Sequence, residues 1–472
     1  MRQSIDTDMA SHPSRAEPTI AKKGYAEPKA KRILMEALRG RGGKLTKADA
    51  MTVSGLPEAE TQQALTVLLK EYRSHLSATE SGELVYEFDP AFERRGALTL
   101  RERLAAVGAA LWTGFTFLFK ISIVVTLVVY FVLFVAMLIA LVFARRSDDR
   151  DDDRGFGFGI ADLFWIWGWN PGFGGAPARR RFAAKPKKPF YKSVFAFVFG
   201  PPRAAVDPLA DEKEILAAIR QRNGRIGAVD LVQLMGWDFD RAEEEATRLL
   251  ADYGGEPEVT DDGVVIYVFK ELRKTTQSTD DDVLGRLGAA RPRPAWERLE
   301  RAAPLTGNDS GTNTAIGFFN AFNLAAPFWI VPLFEMKTRI SLAGASVWLQ
   351  TFPAIFSAVF FAVPGGRWIR EKIAARSRAK RNARRSLLSR IFAAPAEARA
   401  LETIAPDRAQ AAALERDLVR LGGDVASEPD ERGRVRYLFP RIEREMAALA
   451  RARAAATRDE ASPGQVVFSS ED

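Results

Sequence analysis

A mainly α-helical fold with small β-hairpins, in which winged-helix-like repeats are joined by transmembrane helices, is the architecture this sequence predicts, on three observations. One phrase occurs three times: "SGELVYEFDP" at residues 81–90, "DGVVIYVFKE" at 262–271 and "RGRVRYLFPR" at 432–441. Residues 43–88 lie on 224–269 at a constant shift of 181 without a gap, with eleven identities in 46 positions, where composition alone gives roughly three. Two long apolar blocks, 104–143 and 312–364, separate the copies.

Along the chain, residues 1–28 are polar, carry scattered Pro and Ser, contain no apolar core of a signal peptide, and are expected to be disordered. The first module, 29–95, reads as three helices and a hairpin. Ile33, Leu34 and Leu38 form one helical stripe, and Thr46 with Asp49 three residues on suits the start of a second helix that stops at Gly55. Pro57 opens a third helix, whose Leu65, Leu68, Leu69 and Tyr72 fall at the i, i+3, i+4, i+7 spacing of a buried face. In the closing strand "LVYEF", alternation turns Val85 and Glu87 one way and Leu84, Tyr86 and Phe88 the other. Tyr72, Tyr86 and Phe88 are therefore candidate core anchors. The second module, 204–273, repeats the plan, with Ala246, Leu249, Leu250 and Tyr253 on its third helix and Tyr267 and Phe269 on its strand. A third, 370–450, keeps Leu414, Leu418 and Leu421 as a stripe and Tyr437 and Phe439 in the phrase "YLF", with a longer hairpin. The tail, 451–472, is expected to be disordered.

Residues 104–143 hold a single charge, Lys120. A crossing takes about 20 residues, so this block spans at least once. Arginines on both sides (Arg94, Arg95, Arg101 and Arg103 before; Arg145, Arg146, Arg150 and Arg154 after) suit two crossings, whereas Lys120 and the lack of a Gly or Pro turn in the middle suit a single crossing preceded by an interfacial helix. The segment 312–366 reads as a transmembrane hairpin, with Pro327, Pro332 and Pro353 expected to kink or break its helices. Two linkers complete the chain, 144–203 and 274–311. In the former, Trp165, Trp167 and Trp169 suit the headgroup layer and Arg179, Arg180 and Arg181 suit anionic lipid, although a merely sticky linker would read the same way. After the hairpin comes the densest basic cluster, which includes Arg378, Lys380 and Arg381; it directs the third module to the cytoplasm, and the hairpin returns the second module to the same side.

The chain has no cysteine and only His12 and His75, which excludes disulfides, thiolate zinc, iron–sulfur clusters and three-histidine zinc, so neither cofactor nor metal is expected. A net charge of +8 admits nucleic acid or an anionic membrane as partner. Its distribution decides between them. The third helix of the second module sets Asp238, Asp240, Glu243, Glu244, Glu245 and Asp252 against Arg241 and Arg248, a net of −4, and that of the first comes to −2. A groove-reading helix has to neutralise phosphates, so nucleic acid is not the expected partner. The excess positive charge adjoins the membrane blocks instead.

Three phrases, "SVFAFVFGPP" at 193–202, "AIGFFNAFNLAAP" at 315–327 and "RNARR" at 381–385, together with the flanking repeats, resemble an uncharacterised family of integral membrane proteins of bacteria and chloroplasts with repeated winged-helix-like modules. The resemblance covers residues 29–445 and implies architecture but no catalytic residues. The resulting expectation is a scaffold in a bacterial inner membrane, its second and third modules cytoplasmic, holding protein partners at the lipid surface. A membrane-bound transcriptional regulator is one alternative. The other is a transporter or enzyme built on Asn320, Asn323 and Glu335.

Overall fold

Helix α1 (Glu27–Leu38) buries Ala30, Leu34 and Leu38, one side chain per turn along a single face. Strand β1 (Gly43–Thr46) leads into α2 (Lys47–Ser54) through a capping box: Thr46 Oγ1 accepts the Asp49 N–H at 3.2 Å and the Asp49 carboxylate accepts the Thr46 N–H at 2.8 Å. Gly55 ends α2 at φ 72°, a left-handed stop that suits glycine. Helix α3 (Glu58–Glu71) buries Thr61, Ala64, Leu65 and Leu68, and the hairpin of β2 (Ser74–Thr79) and β3 (Leu84–Phe88) follows. Next in the chain are α4 (Leu100–Arg146) and α5 (Phe190–Phe199).

From α6 (Ala210–Gln221) onward the same order of elements appears again: β4 (Arg225–Ile226), α7 (Ala228–Met235), α8 (Phe239–Tyr253), β5 (Glu256–Val259) and β6 (Val265–Val268). Helices α9 (Ser310–Thr338) and α10 (Phe352–Ala393) precede β7 (Arg399–Ala400), β8 (Asp424–Val425), β9 (Arg436–Leu438), α11 (Pro440–Ala455) and β10 (Val466–Ser469). The sheets are small and antiparallel, ordered β1-β3-β2-β10, β4-β6-β5 and β7-β9-β8. This computed structural model describes residues 25–39, 43–79, 82–89, 92–95, 100–146, 189–202, 207–274, 290–400, 417–429, 431–456 and 466–469. The chain divides into two units, the first gathering 1–97, 206–298 and 384–472 and the second 98–205 and 299–383.

In the first unit the three modules share apolar cores rather than standing apart. Ala48 and Met51 of α2 join Ile215, Ile219 and Leu249 of the second module and Leu418, Phe439 and Leu449 of the third in one cluster. Buried polar contacts set the registry. Arg220 on α6 donates to the Asp49 carboxylate at 2.7 Å, and neither side chain has exposed surface. Asp49 thus caps its own helix with one oxygen and holds the next module with the other. Tyr253 Oη donates to the Gly55 carbonyl at 2.9 Å, and Thr46 Oγ1 to the Lys274 carbonyl at 2.8 Å. Asp230, which stands where the repeat places the counterpart of Asp49, accepts the Gly227 N–H at 2.8 Å and ion-pairs with Arg453 of α11. Gly227 has no side chain to complete a capping box, and a Cβ there would lie 2.7 Å from Leu449 Cδ1, so glycine lets α11 approach. Glu445 of α11 accepts the Val229 N–H at 3.0 Å, occupying an N-terminal donor of α7.

The second unit is a helical bundle. Among the described residues, Ile123, Leu127, Phe134 and Leu141 are the buried apolar residues of α4, and they recur on one face. Val194 and Val198 of α5, Ile316 of α9 and Phe360 of α10 pack on the first two; Ala326, Ile330 and Val331 of α9 pack on Phe134. Three helices, Val107–Phe143, Ser310–Thr338 and Val347–Ala393, are long and apolar enough to cross a membrane.

Several expectations need correction. The first apolar block is one unbroken helix of 47 residues, about 70 Å at 1.5 Å per residue, and offers no turn for a second crossing. Helix α9 runs on through Pro327 and Pro332 and α10 through Pro364; the irregularity is a π-helical turn, Val347–Thr351, just before Pro353, whose missing N–H interrupts the i→i−4 ladder. Val85 is buried although alternation assigned it to solvent; its ladder partner Thr46 donates to the Lys274 carbonyl, and Lys274 Nζ lies 3.5 Å from the nearby Glu83. The tail contains the end of α11 and all of β10.

Replacing Arg220 by Met strands a carboxylate in the core. The expected cost is about 3 to 5 kcal/mol, read as a fall in denaturation midpoint of the detergent-solubilised chain. Asp49→Leu together with Arg220→Met should recover much of the loss, a coupling that two independent sites would not show.

Candidate functional site

Helix α8 begins at Asp238, whose side chain accepts the Arg241 N–H at 3.1 Å. Its buried residues, Phe239, Ala242, Ala246, Leu249 and Tyr253, step by three and four, which leaves Asp240, Glu243 and Glu244 on the exposed side. The basic residues nearby are engaged. Arg248 meets Glu245 at 2.7 Å and Asp252 at 2.6 Å, Arg241 lies 4.7 Å over the Trp237 ring, and Arg441 reaches Glu243 while stacking 3.9 Å over Phe239. Burial works against the Arg248 charge, but Glu245 and Asp252 hold its pKa above the ordinary value. The outcome is a carboxylate face led by Asp240 and Glu244, which repels phosphate and attracts basic surfaces.

Helix α10 has the opposite character beyond its apolar first half. Arg378 is turned to Glu371 at 2.8 Å, and Arg381 makes a two-pronged contact with Glu300 at 2.8 and 2.6 Å. Arg370, Lys372, Arg376 and Lys380 are exposed and have no carboxylate partner among the described residues; Lys372 lies 5.6 Å over the exposed Trp368 ring, with Ile369 and Ile373 exposed alongside. Apolar and cationic side chains interleaved on one helix suit a lipid headgroup layer, where stems and rings enter the apolar boundary and charges stay wet.

A third feature lies inside the bundle. Asn320 Nδ2 donates to the Ser357 carbonyl at 3.0 Å and Asn323 Nδ2 to the Leu127 carbonyl at 2.8 Å, tying α9 to α10 and to α4. Both residues and Ser357 are fully buried, and Asn320 Oδ1, Asn323 Oδ1 and Ser357 Oγ find no partner among the described residues. Glu335 is not part of this group; it accepts the Leu342 N–H at 2.6 Å, bridging the turn after α9.

The expected core anchors Tyr86, Phe88, Tyr253, Tyr267, Phe269, Tyr437 and Phe439 are all buried. Tyr86, Tyr267 and Tyr437 sit on β3, β6 and β9. Burial, then Glu212, pushes the Tyr253 phenol far above its ordinary pKa. Tyr72 is half-buried at the end of α3 and meets the edge of Phe92 at 5.7 Å; Leu69 and Leu250, placed on buried faces by periodicity, are also half-buried. Trp165, Trp167, Trp169, Arg179, Arg180 and Arg181 lie outside the described residues. Arg378 and Arg381 are in ion pairs and Lys380 is exposed. Sequence reasoning missed the latch residues Asp49, Arg220, Asp230, Arg453 and Glu445, although the recurrence of an aspartate at 49 and 230 was a signal for two of them.

Among proteins with curated descriptions, an uncharacterised chloroplast protein of Arabidopsis thaliana is 22% identical to this chain over 260 residues, which cover 52% of the chain and 49% of the relative. The chain therefore spans about half the length of the relative it matches. No family model and no solved structure matches it.

If the exposed face of α10 meets anionic headgroups, phosphatidylglycerol added to the detergent-solubilised chain should raise its melting temperature more than phosphatidylcholine does. Changing Arg370, Lys372, Arg376 and Lys380 together to Gln should remove most of that difference. An equal response to both lipids in the unaltered chain would count against a headgroup role.

Proposed function

We propose that the chain is an integral membrane scaffold whose three modules, related by internal repetition and winged-helix-like in plan, form one partner-binding body at the lipid surface. The observation that carries this reading is the shared core of the first unit: modules separated by apolar spans are locked together by one buried and one half-buried ion pair, while acidic side chains remain outside. A single cooperative body tethered to a bilayer presents a wide fixed surface, and its carboxylate face suits a partner with a basic surface. Winged helices that read DNA use the third helix, and here that helix bears Asp240 and Glu244 outward with its arginines already engaged. The lipid partner is the anionic leaflet facing α10.

The interlock bears on topology as well. Folded modules do not pass through a bilayer, so the Asp49–Arg220 contact supports one side for the first and second modules, and the single unbroken α4 would need a return path before α6. The α9–α10 pair would return the chain before the third. The positive-inside rule and the basic half of α10 support reading that side as the cytoplasm of a bacterial inner membrane. A second reading, a carrier or enzyme of the membrane interior, draws on the Asn320, Asn323 and Ser357 group. Helix-to-helix hydrogen bonding already accounts for the amide nitrogens of both asparagines there.

Affinity purification from detergent tests the scaffold reading. Asp240→Lys with Glu244→Lys should lose the proteins that the unaltered chain retains, with the melting temperature unchanged because both positions are exposed. Identical recovery from both baits would remove the acidic face from the account.

A further inference from the structure

The last strand, β10, shows that one edge of the first module accepts an added strand. It pairs antiparallel with β2, Val466 opposite Thr79, Phe468 opposite Ala78 and Ser469 opposite Ser77, with a register slip between the first two pairs. Val467 and Phe468 of the added strand pack little, being 67% and 66% exposed. Beyond the ladder, Ser77 Oγ donates to Ser469 Oγ at 3.2 Å. Main-chain pairing of a four-residue strand is weak by itself. The nine residues between Ala456 and Val466 act as a tether that keeps the strand at a high local concentration.

The other two modules do not offer such an edge. In the second, the edge strand β5 reads "EPEV", with Pro257 lacking a donor and Glu256 and Glu258 adding charge; all four of its residues are exposed, and no strand covers it among the described residues. Proline and charge are the usual devices that keep an edge from recruiting strands. In the third, β8 is two residues long. By contrast β2 reads "SHLSAT" over six residues, without proline, aspartate, glutamate, lysine or arginine. Of the three related sheets, the first alone has a long and chemically permissive edge, and that edge is the one occupied.

We propose that the β2 edge is a strand-acceptor site, guarded in cis by Val466–Ser469, whose trans ligand is an extended segment of a partner protein with a short uncharged, apolar run like "VVFS". Recognition is by main-chain hydrogen bonds. This deepens the scaffold reading and rests on it for the existence of a partner, while the site itself can be tested alone.

The probe is a fluorescent synthetic peptide of residues 464–472, "GQVVFSSED". A chain ending at Pro463 should bind it saturably, and the full chain should bind it more weakly by on the order of tenfold or more, because the tethered copy competes. Hydrogen exchange at Ala78 should be slow in the full chain, fast in the shortened chain, and slow again with peptide. The Thr79 N–H donates to Glu83 across the hairpin, so alternation turns the Ala78 N–H toward β10. Ala78→Pro in the shortened chain should therefore abolish capture while leaving the melting temperature close to that of its parent. No capture by the shortened chain, or equal capture by the full chain, overturns the proposal. Failure of the acidic-face purification with peptide capture intact would remove the scaffold reading and leave the acceptor site standing.

Discussion

The contact between Arg220 and Asp49 is the constraint on which the rest of the architecture turns. A guanidinium and a carboxylate without exposed surface have lost their hydration, and each is tolerable there only while the other stays within hydrogen-bonding distance. That requirement joins two modules whose partner residues lie 171 positions apart, across a helix apolar enough to cross a membrane. For a membrane-inserted chain the consequence is one of parity: whatever leaves the first module has to come back before the second begins. A local electrostatic demand thereby limits the topology of the whole chain.

The same device is used twice with different hardware. Asp49 and Asp230 occupy matching places at the start of a module's second helix, each accepting a main-chain N–H at 2.8 Å, and each directs remaining capacity to an arginine of another module. The first finds Arg220 on α6, the second Arg453 on α11, with Arg222 at 3.5 Å as a further neighbour of Asp230. Burying a pair of charges seldom adds net stability compared with apolar packing, so the stability of the body comes from side chains such as Ile219, Leu249 and Phe439. What the ion pairs add is a penalty for every other docking of related surfaces. Helices that meet through apolar faces need such a penalty, because apolar contact alone would not distinguish one register from another.

Several features were legible in the sequence because their signals are local. Thr46 with Asp49, the stop at Gly55, and Tyr86, Tyr267 and Tyr437 on strands all follow from spacing within a few residues. What could not be read is what depends on a second element. Val85 lies on the face of β3 that alternation gives to water, yet it is buried opposite Thr46, whose hydroxyl donates to the carbonyl of Lys274 far along the chain. Leu69 and Leu250 have the right period but sit at the margin of their stripes. β10 lies in a short polar tail whose composition suggests disorder; its order derives from the open edge of a sheet formed nearly 400 residues earlier. The basic cluster behind α10 was visible as charge, yet which cations remain available depended on Glu371 and Glu300 claiming Arg378 and Arg381.

Because the native chain has no cysteine, the shared side of the modules can be measured directly. Ser81→Cys, Ser278→Cys and Ser427→Cys, one per chain, would be exposed in intact cells to a membrane-impermeant maleimide and then again after permeabilisation. Modules interlocked through Asp49 and Arg220 require one behaviour from all three, with the cytoplasmic assignment adding that they react only once the membrane is opened. Reaction at Ser81→Cys in intact cells, with the other two protected, would separate the first module from the second and contradict the interlock.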